Sequence, residues 1–289
     1  MVRLASLQME DSNGDSIKWL RRAYENGDKQ AGIFLAIEAA DSNPESFFKL
    51  AKNLSEEKLN DGHFLTGWAY LKGVGTKLSL SRSLKNFSSC SNLNCKVMSS
   101  IVSYRNSPNS ISVLDYLKTL RKFNEKEILR QLIPDVKGEL YFELGKSSLK
   151  TNKKDSGNAI AFLEEAVRYE NVNALDQLCM AVTNGKGVLK DESSGLSYCI
   201  EAANFNSLNS ITYNTIGNLL SKGVGQRRGN VPVKEVLSAF RKSCELKDGS
   251  GCCNLAKIYH DQKNSALRNA NIALAEQHNF SHCKTIIDV

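Results

Sequence analysis

Proline is scarce in this chain, four residues in 289. That count suits a mostly helical protein and argues against long irregular or polyproline segments. No apolar run approaches the ~18 residues needed to cross a bilayer, so membrane insertion is not expected. Alternating apolar patterns, short strands and Asn-Gly hairpin signals are missing, which argues against a β architecture. The chain also lacks a Gly-x-Ser-x-Gly elbow, a His-Glu-x2-His pair and a phosphate-cradling Gly-x4-Gly-Lys-Ser/Thr loop. It has no Cys-x2-Cys element, and His63, His260, His278 and His282 do not form paired ligand spacings. No metal or other cofactor is therefore expected. Concentrated charge is absent too. Lys+Arg 38 against Asp+Glu 31 leaves +7 and a pI near 8.9. The densest basic knots, Lys150-Thr-Asn-Lys153-Lys154 and Arg227-Arg228, are too small for a nucleic-acid footprint.

What remains is a globular composition, 41% hydrophobic and 24% charged, with eight cysteines and nineteen glycines. The glycines fall in a pattern. Gly73-Val-Gly75, Gly185-Lys-Gly187-Val188 and Gly223-Val-Gly225 are separated by 112 and then 38 residues, close to three periods and one. A small-residue helical segment precedes each: Gly67-Trp-Ala-Tyr70, Cys179-Met-Ala-Val182 and Gly217-Asn-Leu-Leu220. A second segment follows each and ends in paired small residues: Ser89-Cys90, Ala202-Ala203 and Ser243-Cys244. Weaker copies begin near Ala31, Met98, Leu144-Gly145 and Leu255-Ala256. This is an internal repeat.

Each copy reads as two helices. Ala174, Leu178 and Val182 recur every four residues and form one apolar stripe. The stretch from Asn184 to Val188 breaks the helix, because glycine tolerates positive φ and costs roughly 1 kcal/mol inside a helix. Asp191-Glu-Ser-Ser starts the second helix by accepting free amides, and Leu196, Ile200 and Ala203 give it an apolar face. Neither helix can bury its stripe alone, so neighbouring copies must stack.

The pattern Ala-x3-Leu-small-x2-apolar-x2-Gly-x-Gly-Val-x2-Asp-x6-aromatic-x3-Ala-Ala resembles that of Sel-one-like repeats, relatives of tetratricopeptide repeats. The best copy supplies Ala174, Leu178, Gly185, Gly187, Val188, Asp191, Tyr198, Ala202 and Ala203. The copy near Thr212 keeps Ile216, Gly217, Gly223, Gly225 and Ser243-Cys244, with about three extra loop residues around Arg227 to Pro232. The copy at Gly62 keeps Gly67, Tyr70, Gly73 and Gly75 but has Ser79 in place of the acidic residue. The resemblance implies an all-α, right-handed superhelical solenoid of about six to seven helix-turn-helix repeats, spanning residues 1–289 as one domain. The clearest repeats are 62–95, 174–206 and 212–250. Residues 1–60 and 98–170 read as degenerate repeats, and 251–289 as the C-terminal one.

The turn from Cys244 to Cys252 resembles that of the cysteine-rich, secreted branch of the family, which bridges its repeats at this spacing. Two helix ends joined by a tight glycine turn also bring such cysteines within the ~4.4–6.8 Å Cα separation of a disulfide. Cys90 and Cys95 flank the equivalent turn and are the second disulfide candidate, at a shorter spacing that departs from that branch. Cys179, Cys199, Cys253 and Cys283 have no evident partners, and burial of all eight as small apolar residues is the competing reading. Ala5 to Met9 already reads as helix interior. The expectation is that Met1 stands where a leader peptide was removed, placing the protein in the periplasm, with the cytoplasm as the alternative.

Reactive chemistry finds little support. The glycine loops lie between two helices rather than after a strand and recur at the repeat period, as turns do. Glu164 and Glu165 are adjacent, about 100° apart on a helix, and so are read as a solvated face rather than an acid/base pair. His278, His282 and Cys283 read in the same way. Binding is the better prospect, because stacked first helices form an extended surface. The candidate contact residues are the non-motif positions Trp68, Lys72, Gln177, Thr183 and Asn218, with Trp68 the expected anchor if it does not pack between helices. The fold and the resemblance together imply a non-enzymatic module that is monomeric alone and binds a protein partner. Bacterial adaptors and immunity proteins against secreted toxins, lipase effectors among them, are the implied roles. The alternative implied by the cysteine-rich relatives is weak β-lactam binding or hydrolysis, though the sequence has no helix-opening Ser-x2-Lys together with the motifs that accompany it in such enzymes.

Overall fold

The computed structural model describes residues 15–107, 129–149, 156–225 and 231–287. Every regular element among them is a helix. The chain divides into two compact units, Met1–Glu143 and Leu144–Val289. The first contains α1 (Asp15–Glu25), α2 (Lys29–Ser42), α3 (Pro44–Glu56), α4 (Asn60–Lys72), α5 (Leu80–Ser88) and α6 (Leu93–Asn106). The division falls inside α7 (Pro134–Ser148). The second contains α8 (Ser156–Arg168), α9 (Val172–Asn184), α10 (Glu192–Asn204), α11 (Ser210–Ser221), α12 (Val233–Glu245), α13 (Gly249–Asp261), α14 (Ser265–Gln277) and α15 (Cys283–Ile287).

Within each unit the helices pack in chain order, and the first helices of successive pairs also touch: α4 with α6, and α9 with α11 and α11 with α13. Each unit is thus a helix-pair stack, an all-α solenoid. Its core is the inward stripe of every helix, including Leu54, Leu178, Leu219, Phe240 and Leu255. Burying each such side chain is worth about 1.5–3 kcal/mol, which no single pair could gain alone.

Local chemistry sets the turns. All six glycines of the three loops have φ between +64° and +79°, the left-handed region that other residues enter at a cost. Gly73 and Gly185 are the C-caps of α4 and α9. Gly75 has a second role, since a Cβ there would collide with the Pro44 carbonyl at the start of α3. The following helix is capped by Asp191, which accepts from the Ser193 and Ser194 amides. Ser79 takes that place in the earlier repeat by accepting from the Arg82 amide, so the missing acid leaves the cap intact. In the third copy the N-cap is Pro232, with no side-chain bond. Its extra loop residues lie mostly in 226–230, outside the described residues.

The junctions between repeats use a different device. Lys58, Glu170, Asn206, Lys247 and Asn279 all take positive φ. The amide after each returns to a carbonyl in the last turn: Leu59 to Leu54, Asn171 to Ala166, Ser207 to Ala202, Asp248 to Ser243 and Phe280 to Ala275. These are Schellman closures made without glycine. Their final acceptors include Ala202 and Ser243 of the paired small residues.

All eight cysteines are paired. Cys90 bonds Cys95, and Cys244 bonds Cys252, each across a repeat junction. Spacing alone gives Cys179, Cys199, Cys253 and Cys283 no partners, and here the structure corrects the sequence reading: Cys179 bonds Cys199 and Cys253 bonds Cys283. The reason lies in the repeat. Gly67 and Gly217, six residues before their loops, lie under the rings of Phe87 and Phe240 on the second helix. Cys179 occupies the glycine position and Cys199 the phenylalanine position, 20 residues later as in the Gly67–Phe87 pair. Where two repeats stack a ring on a glycine, the third has a covalent bond.

Candidate functional site

The first helices place the candidate residues at repeating positions. Trp68, Met180 and Asn218 each stand five residues before their loop, and Lys72, Asn184 and Lys222 each stand one before. In the second unit α9, α11 and α13 form a row joined by polar contacts. Asn214 donates to the Ser250 hydroxyl at 2.9 Å, and Asn254 donates to Asn214 at 2.9 Å and to Asn218 at 3.4 Å. The Thr215 hydroxyl reaches the Met180 sulfur at 3.6 Å. Asn218 is exposed and Gln177 half-buried. Thr183 is different: it is 7% exposed and abuts Gly195, so it packs between the helices of its pair and offers no surface.

In the first unit, Trp68 stacks on Phe64 with centroids 6.1 Å apart, and the Lys72 ammonium sits 5.1 Å from the indole centre. Trp68 therefore packs against its own helix while remaining half-exposed. Lys72 also reaches into a charged network. It pairs with Glu139 at 2.5 Å, while Arg105 forks to Glu139 and Glu143 at 2.6 Å each. Glu139 and Glu143 are 2% and 0% exposed. Burial pushes the Glu139 carboxyl up, but the adjacent Lys72 and Arg105 charges outweigh it and hold the group below its ordinary value. Burial opposes the Arg105 charge, and the two carboxylates more than offset it, raising the guanidinium above its usual value. Sequence reasoning misses Arg105, Glu139 and Glu143. The available signal is a carboxylate pair four residues apart, alternating with the apolar stripe Val136, Leu140 and Leu144.

A second buried carboxylate, Asp176 on α9, is 5% exposed and accepts from the Ser207 hydroxyl at 2.8 Å and the Thr212 hydroxyl at 2.6 Å. Burial pushes its carboxyl above the usual value, and the two hydroxyls only partly counter that. Glu164 accepts from the Tyr198 hydroxyl of α10 at 2.8 Å, and Glu165 pairs with Arg168 on the surface. Burial first, then Glu164, pushes the Tyr198 phenol up to about 12. The two adjacent carboxylates thus have different neighbours and do not face a shared site. Cys283 is spent in its disulfide, and the His282 ring nitrogen lies 3.1 Å from the Ser281 hydroxyl. No group of three or more His, Cys, Asp or Glu among the described residues is placed to hold a metal ion. No described helix is long and apolar enough to cross a membrane.

This is the geometry of a helix-pair repeat stack, and a known structure shares it. A protective antigen of uropathogenic Escherichia coli that displays an SLR fold is similar with a TM-score of 0.57 at 17% identity. The match covers 93% of this chain and 58% of that one, so the chain spans little more than half of its neighbour's length. A Sel1 repeat protein from Oxalobacter formigenes matches over 93% of this chain and 99% of its own, at 16% identity and a TM-score of 0.42. By sequence alone, no family model and no curated protein matches. The fold is of the SLR type, in agreement with the glycine-loop pattern.

Proposed function

We propose that this chain is a non-enzymatic protein-binding scaffold that engages its partner along the stacked first helices. One observation carries the reading. Most packing positions keep small or apolar residues from copy to copy, whereas the position five residues before the loop, half-buried in two copies and exposed in the third, is Trp68, Met180 and then Asn218. Stacking constrains the former and leaves the latter open to recognition. The array would be rigid on the residue scale, since Cys179–Cys199 and Cys244–Cys252 tie helix to helix, and a preorganised surface loses less entropy on binding. Four disulfides favour an oxidising compartment, and we assign the periplasm.

The finer form of the proposal is an adaptor or immunity-type protein whose partner is a secreted toxin, held in a stable one-to-one complex. A photo-reactive amino acid placed at Trp68 or Asn218 in cells should cross-link to one specific protein, whereas placement at exposed Ser197 on α10 should not. Equal cross-linking from all three positions, or none from the first helices, would refute the surface assignment. If the cross-linked protein is no toxin, the finer reading falls and the scaffold reading stands.

A further inference from the structure

The second unit carries an open groove of about 630 Å³ whose lining includes none of the proposed contact residues Gln177, Thr183 and Asn218. Leu255 and Tyr259 of α13 line it, with α12 on one side and α14 on the other. From α14 come Leu267 and Leu274, two turns apart on one helix face and 42% and 39% exposed. The volume is in the range of built binding sites. Two further features distinguish it from incidental surface.

The first is covalent. Cys244 lines the groove from α12 and is bonded to Cys252 of α13, so a wall is tied to the helix that carries the floor. The next residue, Cys253, bonds Cys283 and pins α15 beside the same helix. Two bridges at consecutive positions hold α13, where one junction staple would suffice for the repeat. The second feature is charge. Arg241 and Lys247 line the groove against a single carboxylate, Glu245, and neither cation has a carboxylate partner among the described residues. An apolar trough with surplus cations complements an apolar ligand with an acidic flank.

We propose that this groove docks an acidic amphipathic helix from a partner protein. Among the described residues there is no strand, so an extended segment would find no sheet edge to pair with, and helix-in-groove binding is the mode the surface offers. Leu267 and Leu274 lie about 10 Å apart along α14, at ~1.5 Å per residue. The ligand helix would therefore present apolar side chains over about two turns, with Asp or Glu beside Arg241 and Lys247. The assignment goes beyond the contacts proposed for Trp68 and Asn218 and does not depend on them.

Display of a helix-forming peptide library against the intact, oxidised chain tests this directly. Enriched peptides should carry apolar residues at i, i+3 or i+4, and i+7 with net negative charge. A synthetic copy of the winner should lose at least about tenfold in affinity against Leu267→Ser/Leu274→Ser, and again against Arg241→Glu/Lys247→Glu. The second variant should recover binding to the Glu→Lys version of the peptide, a gain that misfolding cannot produce. Cys244→Ser/Cys252→Ser should weaken binding mainly by faster dissociation. Failure to enrich any peptide, or enrichment of basic ones, would overturn the proposal. So would loss of binding in Trp68→Ala but not in the groove variants, which would move the peptide to the first-helix surface and leave the scaffold reading intact. Dimerisation of the chain abolished by Leu267→Ser/Leu274→Ser would give the groove to a second copy and overturn it as well.

Discussion

At the scale of single residues, two buried carboxylates behave in opposite ways because their neighbours differ. Asp176 meets hydroxyls, and its carboxyl is raised. A raised folded-state value means the folded chain binds this proton more tightly than the unfolded one. The stability it contributes is complete below the ordinary carboxylate value and is lost as pH rises through the folded value. The wild type should therefore gain stability over Asp176→Asn as pH falls through that window, measured by thermal melts of both proteins across the acidic range. Glu139 and Glu143 instead share the Arg105 guanidinium. Arg105→Met should cost about 3 kcal/mol in urea titrations, because both acids lose a buried charge-paired donor. Neither network is legible in the sequence. A lone Asp or Glu in an amphipathic helix reads as surface, and only three-dimensional stacking brings Ser207 and Thr212 to Asp176. Thr183 failed as a surface candidate for the related reason that Gly195 lets a neighbouring helix close over it.

At the scale of elements, the helix pair and its glycine loop were legible because two left-handed residues in a three-residue loop leave glycine as the low-strain choice. The junctions were not. Lys58, Asn206 and Lys247 adopt positive φ without glycine, held by closures whose donors and acceptors are backbone groups. The Cys179–Cys199 pair was hidden because its equivalents are Gly67–Phe87 and Gly217–Phe240, which carry no hint of a bond. That equivalence is itself testable. Gly217→Cys combined with Phe240→Cys should form a fifth disulfide, with no free thiol in the denatured unreduced protein. Either single change should be destabilising, Gly217→Cys because a Cβ there lies 2.5 Å from the Phe240 ring. Two free thiols in the double variant would show that the two packing modes do not share one backbone geometry.

At the scale of the whole molecule, the bridges are unevenly shared. Cys179–Cys199, Cys244–Cys252 and Cys253–Cys283 lie in the second unit and Cys90–Cys95 alone in the first. At roughly 2–4 kcal/mol each, reduction should weaken residues 172–287 more than residues 15–107. Hydrogen exchange with and without reductant measures this, and equal loss of protection in both segments would contradict it. Stacking also makes the stability of each pair depend mainly on its neighbours.

The same bridges decide how such a chain would respond to tension, as when a bound partner is drawn away. A repeat stack closed only by side-chain packing pays out its full contour, ~3.5 Å per residue, as pairs peel apart in turn. Here the segments closed by Cys179–Cys199 and Cys253–Cys283, with sequence separations of 20 and 30, cannot be paid out at all. The stretch that carries the groove is thus also the least extensible, a clasp that keeps its length while the rest of the ribbon yields.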